Sequence, residues 1–191
     1  MKKIFTALTV IMCLMMTMTT VFAAKGTPAE QRAQIDELSK NALKRLYEKY
    51  PNADRVIEKC YAWATLSNTS TKIGIFGSSH GRGVAVNNET GERVYLKMQE
   101  QSAGLGIGIK EYDLIFLIND KDAWDDFIAG KIRFGTSAEA AADDGVKGGV
   151  VEGASYVSPG IFVYQMTTKG LALDVMLKGI KIKKDKKLNE K

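Results

Sequence analysis

The chain has a single histidine, His80. That scarcity excludes a histidine-rich metal site. Cysteine is almost as scarce. Of the two, Cys13 lies in an apolar N-terminal stretch, so Cys60 is left without a partner for an internal disulfide. Long apolar runs are missing after the first two dozen residues, which excludes a later membrane-spanning helix. Strong charge of one sign is missing too. Lysine and arginine number 27 against 22 acids, for a net charge of +5. So small an excess does not by itself argue for a nucleic-acid partner.

What is present begins with "MKKIFTALTVIMCLMMTMTTVFAAKG". Lys2 and Lys3 precede an apolar, Met-rich core, and Val21 and Ala23 are spaced like a cleavage site. Residues 1–23 therefore read as a secretory signal peptide, to be set aside from fold reasoning. The apolar core is short for an uncleaved anchor. Cys13 follows Met12 rather than a small residue, which argues against a lipoprotein site. Without the two leader lysines the charge falls from +5 to +3. The remaining length suits one domain with its own core. The expected product is an exported protein, periplasmic or extracellular and at most peripheral to a membrane.

"TPAEQRAQIDELSKNALKRLYEKYP" predicts a helix over 27–50. Thr27 is the N-cap, Pro28 the first helical residue, and Glu30 completes a capping box. Pro51 stops the helix. Ile35, Leu38, Ala42 and Leu46 form its apolar stripe, flanked by Leu43 and Tyr50. A shorter helix near Asn52 or Asp54 carries Val56, Ile57, Cys60 and Ala64. From Asn68 glycine becomes frequent and the period falls toward two. "TKIGIFG", "RGVAVNN" and "ERVYLKMQ" predict short strands, with a turn at "NNETGE". Asn119 or Asp120 caps a short helix bearing Trp124, Phe127 and Ile128, ended by Gly130. "IRFGTSAEAAA" predicts a strand, "DDGVKGG" a loop, and 160–183 a hairpin or two about Lys169-Gly170. "KIKKDKKLNEK" is expected to be a polar basic tail. Helices grouped before neighbouring strands imply an α+β fold, with N-terminal helices packed on a glycine-rich antiparallel sheet or partly closed barrel.

"SAGLGIGIKEYDLIFLIND" (102–120) raises the question of a phosphate-binding loop. Such loops converge consecutive N–H groups at a helix N-terminus. Here neither G-x-G-x-x-G nor G-K-[ST] is completed, and a β-rich run follows instead of a helix. Strict alternation predicts a strand with Gly104, Gly106 and Gly108 on one face, open to close approach by another element. "KEYD" is expected to turn the chain into a buried strand at 114–118.

Four segments, "GSSHGRGVAV", "SAGLGIGIKEYDLIFLIN", "FGTSAEAAA" and "VYQMTTKGLALDVMLKG", occur in this order. In combination they resemble the SYLF domain family of lipid-binding proteins, also known as the yeast-type actin-binding domain family. The resemblance covers roughly residues 50–185. It implies a single α+β domain over 24–185, followed by a basic tail at 186–191. It also implies a noncatalytic lipid binder that contacts phospholipid or a membrane surface and needs no cofactor. Actin binding is not carried over, because the extension tied to it in eukaryotic members has no counterpart here.

Catalytic and metal chemistry are poorly served. Ser78 and Ser79 precede His80, but adjacency is not a nucleophile–base geometry. A polar turn is the simpler expectation, and a hydrolase built on Ser79 and His80 would need a third polar group. Asp120, Asp122, Asp125 and Asp126 cluster, but Trp124 breaks the calcium-loop pattern; capping and a solvated face explain the acids. Trp124 and Phe127 are expected to anchor their helix to the sheet rather than to enter a membrane. Lipid contact has two sources. One is the helix at 27–50, whose polar face carries Arg32, Lys40, Lys44, Arg45 and Lys49, against Glu30, Asp36, Glu37 and Glu48. The other is the lysines Lys181, Lys183, Lys184, Lys186 and Lys187, each worth on the order of 1 kcal/mol near an anionic bilayer. The candidate lipid-binding residues are Lys40, Lys44, Arg45, Lys181, Lys183, Lys184, Lys186 and Lys187. A module of the cell envelope that binds a protein partner and no lipid is the alternative.

Overall fold

A computed structural model describes residues 26–132, 152–169 and 180–190; within it the side chains of 71–77, 100–110 and 169 are left undescribed. The expected strand and loop beyond Ile132, the turn about Lys169-Gly170 and residues 1–25 fall outside the described residues.

Helix α1 (Pro28–Lys49) starts as its sequence dictates. Thr27 Oγ1 accepts from Glu30 N, and Glu30 Oε2 accepts from Thr27 N at 2.8 Å. This reciprocal box satisfies two of the helix's orphan donors. The buried stripe is Ile35, Ser39, Ala42 and Leu46, while Leu38 is exposed. Ser39 replaces Leu38 because the sheet presents a polar group there: Thr65 Oγ1 donates to Ser39 Oγ at 2.8 Å. Helix α2 (Ala53–Lys59) buries Ala53 and Ile57. Ala64, expected on this helix, belongs to the following strand.

Two strands dominate, β1 (Ala62–Asn87) and β2 (Arg93–Ile118), each of 26 residues. They form one antiparallel hairpin from Ala62↔Ile118 to Val86↔Arg93. The expected short strands are merged. "GSSHG" is not a turn but the middle of β1, and "KEYD" does not turn but continues β2. The turn at 87–92 holds. Asn87 Oδ1 accepts from Glu89 N and Thr90 N, and Gly91 supplies the positive φ of 71°. The glycine run at 104–108 is strand, and Gly106, Ile107 and Gly108 pair with Gly74, Ile73 and Lys72. A bulge between Gly74 and Phe76 shifts the register. Bulges and glycines are the usual means of bending a long ribbon.

The ribbon does bend. The sheet curls into a half-barrel, and the two ends of β1 meet. Asn88 N donates to Tyr61 O at 3.0 Å, and Gly83 lies against the backbone of Thr65 and Leu66. Because of this bend, β2 has two partners besides β1. Its second half pairs with β4 (Ile161–Lys169), which is also paired to β3 (Ala154–Ser158). Its first half pairs with β5 (Ile180–Lys184). The inner face brings Leu66, Leu114, Phe116 and Val163 of one half together with Leu96, Met98 and Ile182 of the other. Helix α3 (Lys121–Ala129) joins that core through Trp124 and Phe127. Asp120 caps it through Ala123 N, and Gly130, at φ 71°, ends it. The outer face is covered by α1 and α2. Leu46 and Ile57 pack with Ile115, Leu117 and Tyr164, and Ile35 packs with Val84 and Tyr95.

The expected basic tail is structural instead. Ile180 and Ile182 are buried in β5, while the alternate lysines point outward. Helix α4 (Lys186–Asn189) follows, and its buried Leu188 packs with Ile35, Val84 and Tyr95. Arg32 donates to the carbonyls of Leu188 and Glu190. The period-two pattern in "IKIKK" has folded where composition alone suggested a solvated end.

Candidate functional site

The fold separates the residues that a catalytic reading would unite. Neighbours on a strand point to opposite faces. Ser79 is buried on the inner face of β1, whereas His80 is exposed on the outer one. The hydrolase arrangement is thus contradicted by strand geometry. Cys60 is buried, and its thiol donates to Ile57 O at 3.0 Å. Burial pushes it up from 9.0 to about 11. A buried neutral thiol is a poor nucleophile. A thiol reagent at pH 8 is therefore expected to label Cys60 only as the protein unfolds. A folded-state value above the unfolded one means that this group's stabilisation is complete below pH 9 and is lost as pH rises to 11. Over that window the wild type should lose up to about 2 kcal/mol relative to Cys60→Ala, read from urea unfolding.

The acidic cluster has structural duties. Asp120 caps α3, Lys121 Nζ lies 2.6 Å from Asp125, and Lys131 Nζ lies 3.1 Å from Asp126. Among the described residues no group of three or more metal-ligating side chains converges. Trp124 and Phe127 are buried, as expected of helix anchors; insertion into a membrane is contradicted by that burial.

The candidate lipid-binding residues divide into three sets. Lys40 and Lys44 are exposed on α1. With Leu43, Tyr47 and Glu48 they line an open depression of about 600 Å³, and Lys44 Nζ lies 4.0 Å from Glu48. Arg45 points the other way. Its Nε and Nη2 both meet Asp113 Oδ2, at 3.0 and 2.6 Å. Arg45 is thus committed to a buried carboxylate and is poorly placed to meet a headgroup. Lys181, Lys183 and Lys184 are exposed on β5, and Lys186 and Lys187 are exposed on α4. None of the five ion pairs among the described residues takes any of these last five lysines. The depression lined by Lys40 and Lys44 includes none of the β5–α4 lysines. Two cations that sequence reasoning left unnamed, Arg82 and Lys97, lie in cross-strand register with Lys183.

Comparison with known proteins agrees with this architecture. Residues 99–191 match the sequence model of the Ysc84 family, described as "Las17-binding protein actin regulator". That model is the SYLF domain. The chain matches the SYLF family over those residues. It is also similar to beta cell expansion factor A of Aeromonas veronii, with 32% identity over 166 residues. That alignment takes in 86% of this chain and 61% of the relative, so the chain spans about three-fifths of the relative's length. The SYLF match starts within β2 and takes in β3 to β5. SYLF domains are linked to lipid binding and are generally non-enzymatic.

Proposed function

We propose that this protein is a noncatalytic lipid-binding protein of the bacterial cell envelope that contacts anionic phospholipid headgroups from its surface. The observation that carries the reading is the set of exposed lysines on β5 and α4, Lys181 to Lys187, which are fixed to the sheet and lack carboxylate partners among the described residues. Such lysines retain their charge for an external anion. The basic segment is held by β-pairing and by Leu188, so no ordering entropy is spent on it when the protein binds. The N-terminal stretch supports the envelope location through its signal-peptide pattern. No described helix is long and apolar enough to cross a membrane. The exposed lysines make the proposed contact peripheral and electrostatic.

Co-sedimentation of the exported protein with vesicles tests this. Binding to phosphatidylglycerol-containing vesicles, absent with pure phosphatidylcholine and weakened between low and physiological salt, is the expected result. Absence of pelleting under all conditions would remove the lipid reading and turn the search to an envelope protein partner. Truncation after Gly179 is unsuitable for locating the contact. It would delete β5 and α4 together with the buried Ile180, Ile182 and Leu188. Charge substitutions are needed instead.

A further inference from the structure

Two cross-strand rows on the outer face of the sheet carry positive charge that no ion pair among the described residues takes up. In the first, Arg82 of β1 lies opposite Lys97 of β2, which lies opposite Lys183 of β5. In the second, His80 lies opposite Gln99, which lies opposite Lys181. Directly opposed residues of an antiparallel ladder share a face, with Cβ atoms about 5 Å apart. Of these six residues, Arg82, Lys97, Lys181 and Lys183 are cationic and none is acidic. All are exposed except Arg82, which is half-buried and donates from Nη1 to Gln31 Oε1 at 3.2 Å. In the adjoining row, Val84 and Tyr95 are covered by Ile35 and Leu188. The cationic rows therefore begin where the helical cover ends.

Like charges opposed across a ladder destabilise a sheet. Here three stand side by side, and none of the ion pairs among the described residues relieves them. The α1 acids that flank Gln31 are already engaged: Glu30 caps the helix, and Asp36 holds Arg93 and Tyr95. An anionic layer outside the protein would supply the missing countercharge.

We propose that these rows are the membrane-docking face, with lipid phosphates lying over Arg82, Lys97, Lys181 and Lys183. This rests on the lipid reading above and assigns it a place. It extends the contact from the terminal lysines across the sheet to Arg82 and Lys97, and leaves the α1 lysines outside it. Shape and charge together select a bilayer as the occupant. Rows two residues apart are separated by about 7 Å, and three strands span about 10 Å, which is the scale of several headgroups rather than of one enclosed anion. Lys186 and Lys187, exposed on α4 just beyond, add to this charge, whereas Lys184 lies opposite the inner-face Leu96.

The test compares the exported wild-type protein with Arg82→Gln/Lys97→Gln/Lys183→Gln and with Lys40→Gln/Lys44→Gln, on mixed phosphatidylglycerol–phosphatidylcholine vesicles at low salt. The triple variant should partition roughly a hundredfold more weakly, while the α1 pair should change little. Its thermal midpoint should not fall, since repulsion is removed; if it does fall, single Lys97→Gln and Lys183→Gln variants take its place, each expected to weaken binding several-fold. Triple and single variants that bind like wild type would overturn the docking face while leaving the lipid reading intact. A wild type that fails to bind any vesicle would instead sink the lipid reading itself. Inorganic phosphate at matched ionic strength should not displace the protein from vesicles; displacement beyond the effect of sodium chloride would overturn the bilayer in favour of a small soluble anion.

Discussion

Gly83→Ala is expected to destabilise the protein by about 3 kcal/mol or more, the upper end of what overpacking costs. The reason is what surrounds the missing side chain. A Cβ at Gly83 would overlap Thr65 O and would lie 2.7 Å from the Thr65 carbonyl carbon and 2.9 Å from Leu66 Cα. All three are backbone atoms of the other end of the same strand, so no rotamer change relieves the clash. The ends of β1 would have to separate, and the inner core of Leu66, Leu96 and Phe116 would open with them. Gly91→Ala provides the control. Gly91 also has a backbone reason to be glycine, φ 71°, but nothing lies within 4 Å of its Cβ position. Its cost should be roughly 1 kcal/mol, that of left-handed backbone alone. Urea unfolding of the two variants separates the cases. A Gly83→Ala cost no larger than that of Gly91→Ala would show that the ends of β1 do not touch.

That contact explains where the sequence was legible and where it was not. Features set by a few consecutive residues could be read directly. The Thr27 capping box, the Asp120 cap and the left-handed stop at Gly130 are local side-chain or backbone chemistry, and each stands where its residues place it. The strand character of the alternating glycines was legible from period two alone. The lengths of β1 and β2 were not. "GSSHG" and "KEYD" carry local turn signals, but the facing strand overrides them with a ladder of hydrogen bonds along the hairpin. Close approach, expected at Gly104, Gly106 and Gly108, is seen at Gly81 and Gly83. The lysines of the candidate site followed from composition, and their exposure agrees. Their order within a strand was hidden because Ile180 and Ile182 supply only two apolar positions amid lysines. Arg82 and Lys97 could have been found. The turn at 87–92 fixes the hairpin register, and counting outward from it sets Arg82 opposite Lys97. The pairing of Lys183 could not have been counted this way, because β5 returns to β2 from more than sixty residues along the chain.

Register also decides what Arg45 does, and here a second large effect is expected. Asp113 is buried, with its side chain only 3% exposed. One carboxylate oxygen takes both Arg45 donors, and the other accepts from Ser67 Oγ at 2.7 Å, Ser67 being its direct cross-strand neighbour. Removing the guanidinium leaves a buried carboxylate with one hydroxyl. Arg45→Met should therefore cost about 3 kcal/mol, at the low end for a broken buried pair because Arg45 is itself 39% exposed and water can reach part of the site. Ser67→Ala removes a single hydrogen bond to the same group and should cost about 1–2 kcal/mol. Arg45→Met combined with Asp113→Leu deletes both charges, and its cost should fall well below that of Arg45→Met alone. The comparison is made from urea midpoints at pH 7. Equal losses for the single and double variants would show that Arg45 matters through its packing and not through the pair. The same Arg45→Met protein, folded below its lowered midpoint, should partition onto anionic vesicles like the wild type. A cation whose donors are spent on Asp113 has little left for a headgroup, whereas Lys97 and Lys183 stand exposed with their charges unspent.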